Sequence, residues 1–258
     1  MRVRVKFTKT GCLKFIGHLD VMRYFQKALR RAELPFALST GFSPHMLMSF
    51  AAPLGVGKTS SGEYFDLDLK DEGMAKAGIT SETFLKLLNS QMADGITVES
   101  VVQIPETKAS KGMTVVAAAD YTVSFRKGRV AFPDNLKEKL VAFMDLPEIK
   151  VMRKTKRSEA EVDIHPWIYK LRMINLDDAT LENHPAGVEA ERIAFRMTLA
   201  TGSVHNLKPD LVVQAFAAYA GFEIPDNAIL VHRNNIFADL GEGGSRKLVA
   251  LDALGKEF

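Results

Sequence analysis

Apolar and polar residues alternate at the start of the chain. This alternation predicts a β-strand over residues 2–8, with Val3, Val5 and Phe7 on its inner face. Residues 18–32 then carry apolar side chains at helical spacing, which predicts an amphipathic helix. We expect its buried face to consist of Leu19, Met22, Phe25, Leu29 and Ala32.

Shorter patterns extend this order of elements as far as Pro105. They predict strands at 36–39, 63–69 and 96–104, and a helix at 80–92 that Thr80 or Ser81 caps. The resulting order, β-α-β-β-α-β, is that of the ferredoxin-like fold. We therefore expect residues 1–105 to form a ferredoxin-like domain and residues 106–118 to be a connector.

A similar order of elements follows the connector. Its patterns predict strands at 121–125, 149–153, 192–198 and 229–236 and helices at 136–144 and 209–220. An extra segment at 161–176 separates the second and third of these strands, so we expect an insertion near 155–190. The sequence thus predicts an α+β protein of two ferredoxin-like (βαββαβ) domains in tandem, the second over residues 119–240, with a tail at 241–258.

Composition narrows the class of protein. The 258 residues include no apolar run near the ~20 residues that span a bilayer, and the start of the chain lacks the apolar stretch of a signal peptide. Cys12 is the only cysteine, which fits a reducing compartment. We therefore expect a cytoplasmic protein without membrane association. One thiol also excludes an iron–sulfur cluster, which takes about four, and we expect neither a metal nor a cofactor.

The formal net charge of +3 conceals a strongly basic beginning. Residues 1–60 contain ten Lys and Arg but only two acids, which gives this segment a net charge of +8. Such a segment favours an anionic partner, and nucleic acid is the commonest. The alternative is that acids elsewhere in the fold neutralise it.

Four of these bases lie in the predicted helix at 18–32. Arg23, Lys27 and Arg30 are spaced by four and three residues, which places them along one helical face, and Arg31 adjoins them. Few local acids can pair with the row, so it is suited to successive phosphates. A solvated helix face without a ligand is the alternative interpretation.

Other candidate chemistry lies at the start of this helix and in the loop that follows it. Ser39 and His45 flank a turn and are candidates for contact with an anion. His18, Asp20 and His45 are candidates for general acid–base catalysis. Structural hydrogen bonding is the alternative use of both histidines.

The segment GVGKTS at residues 55–60 invites comparison with a phosphate-binding loop. That motif requires a glycine five residues before Gly57, where this chain has Ala52, and it requires a helix afterwards. The residues that follow alternate like a strand, so nucleotide hydrolysis is not expected.

A second basic segment lies at the end of the predicted strand at 149–153. Arg153 and Lys154 form a second candidate surface for an anion, with a solvated hairpin as the alternative. Trp167 and Tyr169 follow shortly afterwards and share one side of an extended segment. They are suited either to stacking on nucleobases or to packing in the core.

A long run of residues in the first third of the chain, with a short stretch at 162–166, resembles a bacterial family called radical SAM-linked proteins. The matching positions are His18-Leu19-Asp20, Arg23, Ala28-Leu29-Arg30-Arg31, Leu34-Pro35, Ser39, Gly41-Phe42, Pro44-His45, Ser49-Phe50, Pro53-Leu54, Glu63 and residues 162–166. The resemblance implies association with a radical SAM enzyme, by fusion or by neighbouring genes. This chain cannot be that enzyme, because one cysteine cannot ligate its cluster.

These observations predict a non-catalytic accessory protein that works with a radical SAM enzyme and binds an anionic substrate such as RNA. In this hypothesis the four helical bases contact phosphate, and His18 and His45 flank them. Two alternatives remain open. One is an RNA-processing or RNA-modifying enzyme that uses His18, Asp20 and His45, and the other is a protein-interaction scaffold.

Overall fold

The computed structural model describes residues 1–73, 78–154 and 159–258, with only the backbone of Lys154 and Glu159. Over these residues the chain is a mixed α/β protein, which confirms the predicted α+β class. Its contacts divide it into a first unit, residues 1–118 with 233–258, and a second unit, residues 119–232.

The structure gives the following bounds for the elements. The strands are β1 (Arg2–Lys9), β2 (Met48–Phe50), β3 (Thr59–Asp68), β4 (Val98–Ile104), β5 (Val116–Phe125), β6 (Lys150–Lys154), β7 (Glu159–Asp163), β8 (Ile168–Asn175), β9 (Ile193–Ala200), β10 (Ile229–Asp239) and β11 (Leu248–Ala250). The α-helices are α1 (His18–Arg31), α2 (Ser81–Asn89), α3 (Gly112–Val115), α4 (Leu136–Met144), α5 (Asp178–Glu182) and α6 (Pro209–Ala220). Short 3-10 turns cover Gly11–Phe15, His165–Trp167 and Leu251–Leu254.

The first unit is built around β1. This strand pairs antiparallel with β3 on one side and β4 on the other, and β2 pairs antiparallel with β3. Helix α1 packs on the sheet through an aromatic cluster in which the rings of Phe7 and Phe25 lie 4.7 Å apart and those of Phe25 and Phe65 lie 4.8 Å apart. All three rings are buried, and they position α1 with its opposite side toward solvent.

The buried face of α1 differs from the predicted one. Val21, Phe25, Ala28 and Leu29 are buried, whereas Leu19 is 58% exposed. Leu19 lies six residues before Phe25, which turns it about 120° away from that side chain at 3.6 residues per turn. The stripe that faces the sheet therefore excludes Leu19, and the expectation that it is buried was wrong.

The predicted strand at 36–39 is reduced to two isolated bridges, Phe36 with Leu69 and Leu38 with Met46.

The expected helix cap is present, because Thr80 and Thr83 of α2 form a capping box. Strand β3 begins at Thr59, directly after a turn at Gly57 with φ of 84°. A strand rather than a helix therefore follows GVGKTS, as predicted.

The end of the chain belongs to the first unit, which differs from the predicted second domain over 119–240 and the separate tail. Strand β11 pairs with β10, and Leu251 is completely buried. The carbonyl of Leu251 accepts a hydrogen bond of 3.1 Å from the buried guanidinium of Arg4. Apolar burial and this hydrogen bond hold the last residues against β1.

The second unit contains residues 229–232 of β10, residues 119–125 of β5, and the whole of β9 and β8, which are neighbours in that order, together with α4 and α6. The buried face of α4 is formed by Leu136, Leu140 and Phe143. Helix α6 ends at Gly221, whose φ of 74° is the left-handed conformation of a helix C-cap. Strand β5 begins at Val116, inside the predicted connector, because Val116 and Ala118 are buried.

One predicted strand of the second unit lies outside the main sheet. The strand at 149–153 was expected to belong to the main sheet, but β6 pairs with β7 in a separate hairpin. Strand β8, which lies in the predicted insertion, pairs with β9 instead. Periodicity identifies a strand but does not determine its partner, which depends on packing across the sheet.

Among the residues described, we find no helix that is long and apolar enough to cross a bilayer.

Candidate anion-binding site

Three bases project into solvent from α1 and form what we call the basic face: Arg23, Lys27 and Arg30. Arg23 approaches Asp20 at 3.5 Å, and both side chains are more than 60% exposed. A pair so exposed neutralises little charge, since solvent screens it. Within the described part of the chain, no carboxylate lies at ion-pair distance from Lys27 or Arg30. The basic face therefore keeps most of its positive charge.

Arg31 does not share this arrangement. Its Nε donates to the Gln91 side chain and its Nη2 donates to the Gln91 carbonyl, both at 3.1 Å. These bonds tie the end of α1 to the segment after α2. Arg30, by contrast, donates one hydrogen bond to the Gln26 carbonyl at 3.2 Å, and its guanidinium lies above the Phe36 ring. Its other N–H donors remain available.

Ser39 and His45 close the loop that follows α1. The Ser39 hydroxyl accepts from the backbone N–H of His45 at 3.1 Å and lies 2.8 Å from His45 Nδ1. Ser39 is thus engaged in holding the loop, while Phe42 at its tip is fully exposed.

The structure does not bring His18, Asp20 and His45 together. His18 lines a small cavity with Lys9 and Glu63, whereas His45 lines a separate groove with Arg2, Asp66 and Asp68. Asp20 is 62% exposed on the outer side of α1. Among the described residues, no group of three His, Cys, Asp or Glu side chains is placed to hold a metal ion.

Beneath the start of α1 lies a buried charged cluster formed by Lys9, Glu63 and Arg233. Glu63 accepts two hydrogen bonds from the guanidinium of Arg233, one of them 2.7 Å from Nε, and each side chain is 4% exposed. Arg233 also donates to the Ala52 carbonyl at 2.7 Å. The cluster thereby fixes the loop before β3.

Lys9 holds the other loop of this region. Its ammonium donates at 3.0 Å to the carbonyl of Ile16, just before α1 begins. Burial lowers the pKa of Lys9, although Glu63 opposes this effect and Arg233 adds to it. Burial also lowers the pKa of His18, which lies edge-on to the Phe50 ring. His18 is therefore neutral at pH 7 and adds no positive charge to the basic face.

Sequence reasoning overlooked Lys9 and Arg233, and it noted Glu63 only through the family resemblance. A signal for Lys9 existed, because it continues the inner face of β1 after Val3, Val5 and Phe7. A charge on an apolar face requires a partner. Arg233 carries no such signal, since its contact with Glu63 spans 170 residues of sequence.

The second predicted anion surface is divided by the pleat of the hairpin. Arg153 lies on the opposite side of β6 from Lys150 and Met152. Its guanidinium lies above the ring of Trp167, 5.9 Å from the centroid, and donates at 3.2 Å to the carbonyl of Asn206. The backbone of Lys154 is opposite Glu159 in the register, and its side chain lies outside what the structure describes.

Fold and site together define a mixed α/β protein with an exposed basic helix face and a buried charged cluster. Residues 2–209 match the DUF2344 family, described as uncharacterized proteins conserved in bacteria, and the chain belongs to this family. The match includes the whole basic face but ends before Arg233. No curated protein matches the chain significantly. The expectation of a bacterial family is confirmed, and the link to a radical SAM enzyme stays a prediction.

Proposed function

We propose that this protein is a non-catalytic accessory protein that binds single-stranded RNA through the basic face of α1. The observation that carries the proposal is the row of Arg23, Lys27 and Arg30, which is exposed and largely without acidic partners among the described residues. Three cations at helical spacing suit successive phosphates of one strand. Arg23 and Arg30 offer the planar donors that phosphate accepts in pairs.

Exposed aromatic rings in the same unit favour a nucleic acid over a simple anion. Phe15 is 65% exposed, and Phe42 is fully exposed. Solvent-facing aromatic rings lose apolar contact with the core and are suited to stacking on unpaired bases. Exposed aromatic rings together with the cationic side chains of the basic face are the combination that a single-stranded nucleic acid requires.

The cavity beside His18 supports a binding protein over an enzyme at this position. Its volume is about 10 Å³, which is the space of roughly one water molecule. A substrate group cannot enter such a space without movement of Phe50 or Leu54. The charged cluster around it is better suited to holding the two loops that precede α1 and β3.

We also infer that the first unit is a variant of the ferredoxin-like fold. Its strands β4, β1 and β3 are neighbours in that order, and β2 pairs with β3. This is the strand arrangement that the β-α-β-β-α-β order produces when it folds into one antiparallel sheet. RNA-processing proteins also use tandem domains of this kind, an analogy of fold only.

The partner that we propose is a radical SAM enzyme, on the strength of the sequence resemblance. In this arrangement the enzyme supplies the cluster chemistry, and the present chain presents the RNA to it. Coexpression of the two proteins should yield a complex. Recovery of each protein alone would remove the partner from the proposal and leave RNA binding to be judged separately.

The direct test is fluorescence anisotropy with a labelled single-stranded RNA at several KCl concentrations. Three phosphate contacts predict a slope of about −2 for log K against log salt. Reversal of two charges in Arg23→Glu/Arg30→Glu should abolish measurable binding. The matched control is Lys86→Glu/Lys137→Glu, which changes the net charge equally at two other exposed helical positions.

The control protein should bind RNA nearly as well as the wild type. Absence of salt-sensitive binding by the wild type at low ionic strength would overturn the proposal. Equal losses in the two double variants would also contradict it, because net charge rather than the basic face would then govern binding.

A protein-interaction scaffold is the second candidate, and one observation favours it. Leu19 and Val56 are 58% and 60% exposed. Val56 Cγ2 lies 4.0 Å from the position of a Cβ on Gly17, the residue that precedes the helix carrying Leu19. Exposed apolar side chains in one region are typical of protein contacts. If Leu19→Asp abolishes capture of the radical SAM enzyme while RNA binding is unchanged, the scaffold is the better description.

A further inference from the structure

The second unit contains a cluster of ring and guanidinium groups that the basic face does not involve. Trp167 stacks on His205 with 4.7 Å between ring centroids and an interplanar angle of 27°. Arg153 lies above the Trp167 ring and is held by the carbonyl of Asn206. We call Arg153, Trp167 and His205 the stacking cluster.

The surrounding fold holds Trp167 in place. It ends the 3-10 turn that leads into β8, and the preceding Asp163 accepts from the backbone N–H groups of Ile149 at 2.8 Å and His165 at 3.0 Å. His165 Nε2 lies 3.1 Å from the carbonyl of Met144 at the end of α4. The indole is therefore mounted on a turn that is fixed on two sides.

His205 is mounted on the loop between β9 and α6. The backbone N–H of Leu207 donates to the Ala200 carbonyl at 3.0 Å and closes this loop, and Leu207 is buried. Hydrogen bonds therefore anchor both segments that carry the rings, and the two rings are preorganised for a ligand.

The stacking cluster is not part of the core. Trp167 is only partly buried, His205 is exposed, and the neighbouring Val204 is 84% exposed. Among the described residues, no acceptor is within hydrogen-bond distance of the Trp167 indole N–H. No described carboxylate pairs with Arg153. A buried structural tryptophan would normally have its N–H satisfied and its ring covered.

We propose that the stacking cluster binds an unpaired base of RNA. The base extends the stack of Trp167 and His205, and Arg153 contacts the adjoining phosphate. Stacking surfaces serve every base, since each has a π face, and a neighbouring guanidinium provides the charge that a nucleotide needs. This inference rests on the proposed function for its ligand class, but it concerns a different part of the chain from the basic face.

Trp167 is the only tryptophan in the chain, so its fluorescence reports on this cluster alone. The probe is a ten-nucleotide oligoadenylate, compared with an abasic phosphodiester of the same length. A base added to the stack of Trp167 and His205 should quench the indole emission in a saturable manner. The abasic oligomer should leave the emission unchanged, because it carries the charge without the rings.

Affinity measured by anisotropy completes the test. Trp167→Ala should weaken oligoadenylate binding by about tenfold, the usual scale for one stacked base. Trp167→Phe should retain most of the affinity, because a ring remains. Arg153→Ala should weaken binding and reduce its salt dependence.

The control is Lys127→Ala. Ile168, which follows Trp167, pairs with Leu199 near the end of β9. The backbone N–H of Lys127 donates to the carbonyl of Glu189, which precedes the start of β9. Lys127 therefore lies at the far end of β9 from Trp167 and should not affect quenching. Circular dichroism of each variant checks that the second unit is folded.

The outcomes separate this inference from the proposed function. Quenching that persists in Arg23→Glu/Arg30→Glu supports the stacking cluster even if the basic face proves irrelevant. Salt-sensitive RNA binding without quenching, and with full affinity in Trp167→Ala, would overturn the inference and leave the proposed function intact. Equal quenching by the abasic oligomer would also overturn it, because the cluster would then recognise phosphate alone.

Discussion

Glu63 and Arg233, 170 residues apart in sequence, form a bidentate ion pair in the interior of the first unit. The pair joins β3 to β10, and through the Ala52 carbonyl it also fixes the loop before β3. Both side chains are almost fully buried, so water solvates neither charge and each needs the other as its counter-charge. This one contact connects the start of the chain to its last quarter.

Removing one charge of this pair should destabilise the first unit severely. In Glu63→Gln the shape is retained, but Arg233 is left buried without a counter-charge, which typically costs about 3–5 kcal/mol. Urea denaturation should show the loss. The control Lys86→Ala breaks the exposed pair with Glu82 and should leave the midpoint unchanged. Equal stability of Glu63→Gln and the wild type would contradict the role given to this pair.

Gly62 should be far less tolerant of a side chain than Gly55. A Cβ on Gly62 would lie 2.7 Å from the Asn234 carbonyl oxygen, which belongs to the facing strand β10 and cannot easily move. Overpacking of this kind costs about 1–3 kcal/mol. A Cβ on Gly55 would meet only the end of the Lys58 side chain at 3.8 Å.

We therefore expect Gly62→Ala to lower the thermal midpoint and Gly55→Ala to leave it nearly unchanged. Differential scanning calorimetry of both variants measures this difference. Similar midpoints for the two would show that β3 and β10 can separate at Gly62 without cost.

Stability should fall as the pH is lowered, because His232 is buried. Burial lowers the pKa of His232 to about 4, and the neighbouring His184 contributes to the lowering. The unfolded chain takes up a proton near pH 6.5, whereas the folded chain does so only near pH 4. Between these values the unfolded state binds more protons, so stability decreases as pH falls through this window.

The hydrogen bonds of His184 identify which of its ring nitrogens carries a proton. Its Nδ1 accepts from the backbone N–H of Ala186 at 3.2 Å, so its proton is on Nε2, 2.8 Å from the Ser124 hydroxyl. Urea midpoints at pH 7 and pH 5 should differ less in His232→Gln than in the wild type. His45→Gln, an exposed position, should retain the full difference. An unchanged pH dependence in His232→Gln would refute the assignment.

Single substitutions on α1 should separate the three bases of the basic face from Arg31. Loss of Arg23, Lys27 or Arg30 to alanine should each reduce the salt slope of RNA binding by about 0.7, one phosphate contact on a single strand. Arg31→Ala should leave the slope unchanged, since its donors are held by Gln91. A reduced slope for Arg31→Ala would mean that RNA displaces Gln91.

Local elements were largely predictable, and their failures have physical causes. The strand β1, the helix α1 and the Thr80 cap follow from periodicity and capping chemistry, which are local properties. The place of the strand at 149–153 was not predictable from periodicity, because pairing depends on what each strand can bury. The exposure of Leu19 was missed because several apolar stripes fit one helix and only the facing sheet selects among them.

The sequence by itself determined the α+β class, the exposure of a basic row on α1 and the exclusion of an iron–sulfur cluster. Each depends on spacing or composition within a short stretch. Tertiary structure alone decided that Arg31 is engaged, that His18 and His45 occupy separate places, and that Arg233 neutralises Glu63. It also brought Arg153, Trp167 and His205 into one stack. These contacts join residues far apart in the chain, and their energies depend on burial, which no local pattern encodes.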